Sequence, residues 1–414
     1  MRVLIVSQYF WPESFIINEL VKTLSHQGNY VRVLTGKPNY PDGQIFAGYQ
    51  ERGCSSETFV PGVNIFRAPL RPRRGGGGKN LAFNYLSFVI NGLRYFPRAV
   101  KGETYDVILA IGLSPITSVI PAILLKKQLK IPLAVWIQDL WPESLSATGF
   151  ITNRFVLHLM GRLVRWIYMF TDMLLVQSQS FRKVVSKYAS EEKIVYYPNS
   201  YLEIISDHDN DALIPRDLLL ELERNFCLVF AGNLGTAQSI ETLLKASERL
   251  THLSGCKIIL IGSGSMSGWV EQQIALKGLN NLVLVGRLPS STMPSIFSRA
   301  AGLLVSLKQN EILTYTIPCK IQAYLAAGRP VIAALDGEGA QVIDLAGAGF
   351  VSPAEDAAAL AKNIERLYRM PIAMRNKLGE SGRAYFLKHF EMERQSLRLI
   401  EILEKSINIK RDSK

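Results

Sequence analysis

Short apolar runs alternating with amphipathic helices recur along almost the whole chain, and the pattern runs twice. "RVLIVSQ", "YVRVLTG", "DVILAIG", "PLAVWIQ" and "MLLVQS" read as strands of a first half, with helices such as "SFIINELVKTLSHQG" between them. Over residues 196–215 periodicity is lost and acid is gained, as expected of a linker. The pattern then restarts with "FCLVFAG", "CKIILIG", "NLVLVG", "AGLLVSL", "PVIAAL" and "GFVSP". Strands this apolar need cover on both faces, so the expected class is α/β, with two Rossmann-like, doubly wound parallel sheets facing a cleft. At 414 residues the chain exceeds a single core. Residues 1–200 are expected to form one domain and 201–385 the other, with a C-terminal helix at about 386–414 packing back.

Several function classes fall away. Residues 107–125 carry no charge over nineteen positions, close to a membrane span, but Gly112, Pro115 and Pro121 interrupt them. They read better as a strand, a turn and a helix. The four cysteines are scattered without metal-ligand spacing, which suits reduced thiols in a cytosolic compartment, and no secretory signal is visible. Residues 1–200 hold 23 Lys and Arg against 12 Asp and Glu, while the remainder holds 24 against 23. The first half therefore attracts anions. An anionic membrane face or nucleic acid would answer to that charge, but no helix-turn-helix or base-stacking motif supports nucleic acid.

The motif richest in chemistry is "TIPCKIQAYLAAGRPVI" (316–332). Pro318 suits the first turn of a helix, Ile321, Tyr324 and Leu325 share one face, and Gly328 sits at a left-handed C-cap. Such a helix aims free N–H groups and the Lys320 ammonium beyond its N-terminus, as a phosphate site requires; an ordinary capped αβ unit is the competing reading. "FAGNLGTAQSIETLL" supplies a second anion-compatible turn through Gly232, Asn233 and Gly235, with a helix starting near Gln238. "LIGSGSMSGW" misses the dinucleotide fingerprint and reads as a structural turn with donor contact open to it.

In the first half, Glu13, Asp139 and Glu143 follow strands at their carboxyl ends, where they would crowd one cleft as acid/base or hydroxyl-binding groups, or else cap helices. "RPRRGGGGKN" fails as a P-loop and reads as a mobile basic loop. Its Arg71, Arg73, Arg74 and Lys79 would suit an anionic head group or pyrophosphate. Helix 153–170 is apolar with Arg154, Arg162 and Arg165 interleaved, the pattern either of a bilayer surface or of a core helix with snorkelling arginines. Asp207 and Asp209 have metal-compatible spacing but lie in the acidic linker, so no metal site is expected.

In this order, "MRVLIVSQYFWPESFIINEL", "LTGKPNYPDG", "WIQDLWPES", "FAGNLGTAQSIETLL" and "PCKIQAYLAAGRPVIA" resemble the retaining GT-B glycosyltransferases of family 4. The likeness is nearest to the WcaI/WbuB-like transferases of colanic-acid, capsule and O-antigen assembly, several of which use deoxy-amino sugars such as N-acetyl-L-fucosamine. The resemblance spans essentially the whole chain. It implies a nucleotide-sugar donor, UDP-linked, on the second domain, and a polyprenyl-diphosphate-linked saccharide acceptor at the cytoplasmic face of the inner membrane. Carried onto this chain, Gly232–Gly235 and Thr316–Lys320, with Gln238 and Gln322, would face the diphosphate, while Gly286, Arg287 and Leu288 would lie against the base. Neither a metal nor another cofactor is implied. One departure is visible: Ala323 and Tyr315 stand where many members place a glutamate pair for the ribose. Asp139 stands in the region where many relatives place a catalytic-site histidine. Outside this resemblance, a nucleotide- or nucleic-acid-binding α/β protein without transferase activity, a GT-B epimerase, or a phosphorylase-type enzyme would share the same architecture.

Overall fold

The computed structural model describes residues 1–75, 77–147, 153–203 and 208–412. Two compact units emerge, one comprising Met1–Asn199 with Met392–Lys414, the other Ser200–Glu391. The chain thus passes from one unit to the other twice.

Unit 1 holds β1 (Arg2–Val6), β2 (Tyr30–Thr35), β3 (Ser55–Val60), β4 (Val63–Arg67), β5 (Val107–Gly112), β6 (Leu133–Ile137), β7 (Met173–Val176) and β8 (Ile194–Tyr196). Their order is β3-β4-β2-β1-β5-β6-β7-β8. Every pairing is parallel except β3 with β4, and Ile5 at the centre faces Val33 on one side and Leu109 on the other. The helices are α1 (Ile16–His26), α2 (Gly78–Ala99), α3 (Ile120–Leu129), α4 (Glu143–Ala147), α5 (Arg154–Met169) and α6 (Gln179–Val185). On one face of the sheet, Ile17, Leu20 and Leu24 of α1 and Leu399 and Leu403 of the C-terminal helix close over Ile5, Leu109 and Trp136. α2 and α3 pack together elsewhere, with Gly92 of α2 so close to Pro121 that a Cβ there would lie 2.7 Å from the ring.

The uncharged segment 107–125 resolves as β5, a short 3-10 turn over Ile116–Val119 and the start of α3. Among the described residues no helix is long and apolar enough to cross a membrane.

Unit 2 has six strands, β9 (Phe226–Ala231), β10 (Cys256–Ile261), β11 (Leu282–Gly286), β12 (Gly302–Ser306), β13 (Val331–Ala334) and β14 (Gly349–Ser352). All are parallel, in the order β11-β10-β9-β12-β13-β14. Around them lie α7 (Arg216–Arg224), α8 (Ile240–Arg249), α9 (Ser267–Lys277), α10 (Met293–Arg299), α11 (Glu311–Thr314), α12 (Cys319–Ala326), α13 (Glu338–Ala346), α14 (Ala357–Arg369) and α15 (Ile372–His389). The last helix, α16 (Met392–Asp412), returns to unit 1. A continuous helix from about 386 is not what forms. α15 ends at His389, and Tyr201 donates its N–H to the Phe390 carbonyl (2.8 Å), which ties the two ends of unit 2 together before α16 begins. Asp207 lies outside the described residues, and Asp209 falls in a 3-10 turn over His208–Leu213.

Candidate functional site

In a parallel sheet the carboxyl ends of the strands and the helix N-termini converge on one edge, and unit 2 builds its cavity there. Gly232, after β9, has φ +140 and donates to the Ile261 carbonyl (2.9 Å); Gly262, after β10, has φ +142 and donates to the Gly286 carbonyl (2.8 Å). The three turns are therefore stitched side by side. A Cβ on Gly262 would lie 1.8 Å from the Gly232 carbonyl oxygen, so this register admits only glycine. Leu234 donates to the Ser263 carbonyl and accepts from the Met266 N–H, both at 2.9 Å, which extends the seam.

α12 supplies the cation. Pro318 is its N-cap, with φ −58 and ψ 131, and not a residue of the first turn as the sequence suggested, so Lys320 stands second in the helix. Gly328 takes φ +64 and bonds the Leu325 carbonyl (3.1 Å), ending the helix where expected. Tyr324, fully buried, pins the helix to the end of β9: its hydroxyl accepts from the Ala231 N–H (2.9 Å) and lies 3.4 Å from the Ala231 carbonyl.

The Lys320 Nζ sits 3.8 Å from the centroid of the Phe230 ring, is buried, and has no hydrogen-bond partner. Burial pulls its pKa from 10.5 down to about 8, since a desolvated ammonium is disfavoured. An unpaired buried cation is costly unless an anion completes it.

The cavity has a volume of about 880 Å³ and is lined by Gly232, Asn233, Arg287, Leu288 and Lys320 among the residues named from sequence. Ser263, Tyr201, Phe297 and Tyr324 also line it. The other donor-side candidates are placed differently. The Gln238 Oε1 accepts from the Gly235 N–H (3.2 Å) and the Asn233 amide (3.5 Å), bracing the turn from within. Gly286 contributes through its carbonyl, Thr316 bonds the Leu313 carbonyl (3.1 Å), and Gln322 is buried on the inner side of α12. Gly235, Gln238, Gly286, Thr316, Pro318 and Gln322 do not line the cavity. A helix running unbroken from Gln238 also does not form, because Ser239 adopts φ 44 between a 3-10 turn and α8. Ala323 lines the cavity without a polar atom, and the Tyr315 hydroxyl is engaged by Glu311 at 2.5 Å.

The carboxylates of unit 1 do not crowd one place. Glu13 is 2% exposed; its Oε1 accepts the N–H groups of Asn39 and Tyr40 (both 2.8 Å) and its Oε2 that of Phe10 (3.1 Å). It clamps the turns after β1 and β2, and burial pushes its pKa up to about 7 despite those donors. Neither acid/base work at a shared cleft nor helix capping describes it.

Asp139 and Glu143 do belong together, after β6. Asp139 accepts from the side chains of Ser114 and Ser144 and from the Leu140 N–H, and its burial raises its pKa above the usual carboxylate range. The Glu143 Oε1 accepts from the Tyr188 hydroxyl (3.0 Å), while its Oε2 is buried without a partner.

Arg71, Arg73 and Arg74 of the basic loop, which was expected to be mobile, are held by backbone hydrogen bonds. Arg71 and Arg73 donate their N–H groups to Ser87 Oγ (3.0 Å) and Asn39 Oδ1 (3.2 Å), and Arg74 donates to Gly43 (2.5 Å). The Arg71 guanidinium lies 4.4 Å over the Phe83 ring and that of Arg73 lies 5.2 Å over Tyr40. Arg74, Lys79, Arg162 and Arg165 are exposed.

Two strand-end anion-compatible turns, a buried unpaired lysine at a helix start and paired α/β units define a class, the GT-B glycosyltransferases. Comparison bears this out. Residues 15–200 match the glycosyl transferase 4-like domain and residues 225–370 match glycosyl transferases group 1, so the chain is a glycosyltransferase. It is similar to the probable glycosyltransferase WbjE of Pseudomonas aeruginosa (24% identical, covering 87% of this chain and 90% of that one). The putative colanic acid biosynthesis glycosyl transferase WcaI of Escherichia coli K12 is 23% identical over 79% of this chain and 82% of its own. In fold it is similar to sucrose-phosphate synthase of Thermosynechococcus elongatus (TM-score 0.73, 17% identical, 98% of both chains). Anabaena HepE, solved in complex with UDP, gives TM-score 0.68 at 14% identity, covering 98% of this chain and 100% of that one.

Proposed function

We propose that this glycosyltransferase moves a sugar, with retention, from a UDP-linked donor to a polyprenyl-diphosphate-linked saccharide in bacterial surface-polysaccharide assembly. N-acetyl-L-fucosamine or a related deoxy-amino sugar is the transferred group. The observation that carries the reading is the Lys320 Nζ, buried and unpaired at the mouth of α12. When the bond from the sugar C1 to the diphosphate oxygen breaks, negative charge develops on the departing diphosphate. A preorganised ammonium with helix N–H groups beside it lowers that barrier. The acceptor hydroxyl attacks from the face the diphosphate leaves, forming the new glycosidic bond, and a phosphate oxygen accepts its proton. No metal is assigned a part in this scheme.

Arg287 and Leu288 are assigned to the base. Asp139 and Glu143 are assigned to the acceptor side in unit 1, where the raised proton affinity of Asp139 suits a group near a sugar hydroxyl. Support for the nucleotide comes from HepE, whose structures hold UDP and UDP-glucose, and support for the pathway comes from the naming of WcaI. The exposed cations of unit 1 support peripheral association with the cytoplasmic face of the inner membrane.

Incubation with radiolabelled UDP-, GDP- and dTDP-sugars, with and without lipid-linked acceptor, tests the reading. Label passing into lipid from a UDP-sugar is the expected result. Release of an epimerised nucleotide sugar, or of sugar phosphate on adding inorganic phosphate, would overturn it.

A further inference from the structure

The face of the unit 1 sheet that carries α2, α3 and α5 has a composition that the fold does not require. These three helices contain eight Lys and Arg and not one Asp or Glu. The helices of the other face are mixed, with Glu19 on α1 and Glu393, Glu401 and Glu404 on α16. The three helices adjoin: α2 packs on α3, and Lys126 near the end of α3 donates to the Phe170 carbonyl at the end of α5 (2.8 Å) and to the Asp172 carboxylate just beyond it (2.7 Å).

The outer sides of these helices are also apolar. Along α2, Phe83, Leu86, Ile90 and Leu93 recur at helical spacing with exposures of 48%, 53%, 53% and 36%. Asn84, Phe88, Gly92 and Phe96 form the buried side of the same helix. Packing of the core therefore explains one side and leaves the outer stripe unexplained. Lys79 and Arg94 fall on that same outward stripe. α5 repeats the device, with Phe155 and Met169 exposed by 76% and 60% and Leu159 and Trp166 between them. Single exposed apolar residues are ordinary, but two such rows on neighbouring helices that carry no acid of their own are not.

We propose that this face is a membrane-docking surface, with the Phe83–Leu93 row of α2 as its principal inserting element. This rests on the reading that the acceptor is lipid-linked, and it assigns to α2 a part that the basic loop was expected to play. The occupant is an anionic bilayer, because only a surface that is apolar below and negative above matches both rows at once. A second copy of this chain fits badly, since a two-fold contact would set cations against cations. Arg71, Arg73 and Arg94 are turned onto aromatic rings, so Lys79, Arg162 and Arg165 are the cations that meet head groups.

The test uses the full chain and sedimentation with phosphatidylglycerol-containing or phosphatidylcholine-only vesicles at low and high salt. Three proteins are compared: wild type, Leu86→Glu/Ile90→Glu, and the uncharged Leu86→Ser/Ile90→Ser. All three positions of reference for folding, namely the thermal midpoint, the far-ultraviolet spectrum and UDP binding in unit 2, should be unchanged, as both side chains are surface groups. Wild type should bind anionic vesicles with a fraction that salt does not strip. Both variants should bind about tenfold more weakly or worse and lose that fraction. If wild type binds and both variants bind equally well, the α2 assignment is overturned while the lipid-linked reading stands. If wild type binds neither vesicle, peripheral association itself fails. A lipid-free dimer in sedimentation velocity that both variants abolish would overturn the proposal in favour of self-association.

Discussion

Replacing Lys320 with Met keeps the length of the side chain and removes its charge, and the two consequences should have opposite signs. In the free protein the ammonium is buried over Phe230 without a partner, and its pKa falls from 10.5 to about 8. Such a depression means that the unfolded chain binds more protons than the folded one between those two values, so wild-type stability rises with pH across that window. Below pH 8 the penalty is fully present, amounting to at most about 3 kcal/mol at 1.36 kcal/mol per unit, less whatever relaxation recovers. Lys320→Met should therefore be as stable as wild type or more stable below pH 8, and the difference should close toward pH 10.5. Donor turnover should move the other way. One charge-assisted contact is worth about 1.5–3 kcal/mol, so kcat/KM should fall roughly 10- to 150-fold. In wild type, donor binding should weaken above pH 8 as the proton is lost, and UDP binding there should take up a proton, read from the dependence of calorimetric heat on buffer ionisation. Melting curves and initial rates across pH check all of this. A Lys320→Met protein that is less stable at neutral pH, or that retains wild-type kcat/KM, would refute the argument.

Gly262→Ala should abolish UDP binding and lower the melting temperature, because its Cβ would overlap the Gly232 carbonyl at the seam; calorimetry and melting measure both. Glu13 has a folded pKa of about 7, above its ordinary 4.5, so its contribution to stability is present below pH 4.5 and lost as pH rises through 7. Urea midpoints should show that decline in wild type and lack it in Glu13→Gln, which should also be weaker overall because its amide would meet the Phe10 N–H. Activity should survive EDTA; loss in EDTA restored by Mg²⁺ or Mn²⁺ would count against the metal-free scheme and redirect attention to Asp207 and Asp209.

The strands of unit 2 were legible because each is a short apolar run with a glycine or proline at or near one end, and all six form. Unit 1 was less transparent. β3, "SSETFV", alternates half-buried with exposed residues and pairs antiparallel at the sheet edge, so it lacks the apolar run by which its neighbours were found. β8 is three residues long, too short for a periodic signal. The Lys320 helix start was readable from the proline, the cation and the glycine stop. What sequence could not supply was depth: nothing in "NYPDG" marks Asn39 and Tyr40 as the backbone donors that occupy Glu13. Tyr324 was read as a core residue on an apolar face; it is one, yet its ring also lines the cavity. Tyr201 stood in a stretch without periodicity, and only the closure of the chain at Phe390 brings it to the site.

The double passage of the chain has a consequence for biosynthesis. Unit 1 begins at the first residue, yet Met392, Leu399 and Leu403 of its core arrive with α16, after every residue of unit 2 has been made. During translation Ile17, Leu20 and Leu24 wait uncovered for that helix, whereas unit 2 can close as soon as Phe390 meets Tyr201. The domain translated first is thus completed last, and a nascent chain halted before α16 would present a finished donor domain beside an open hydrophobic seam.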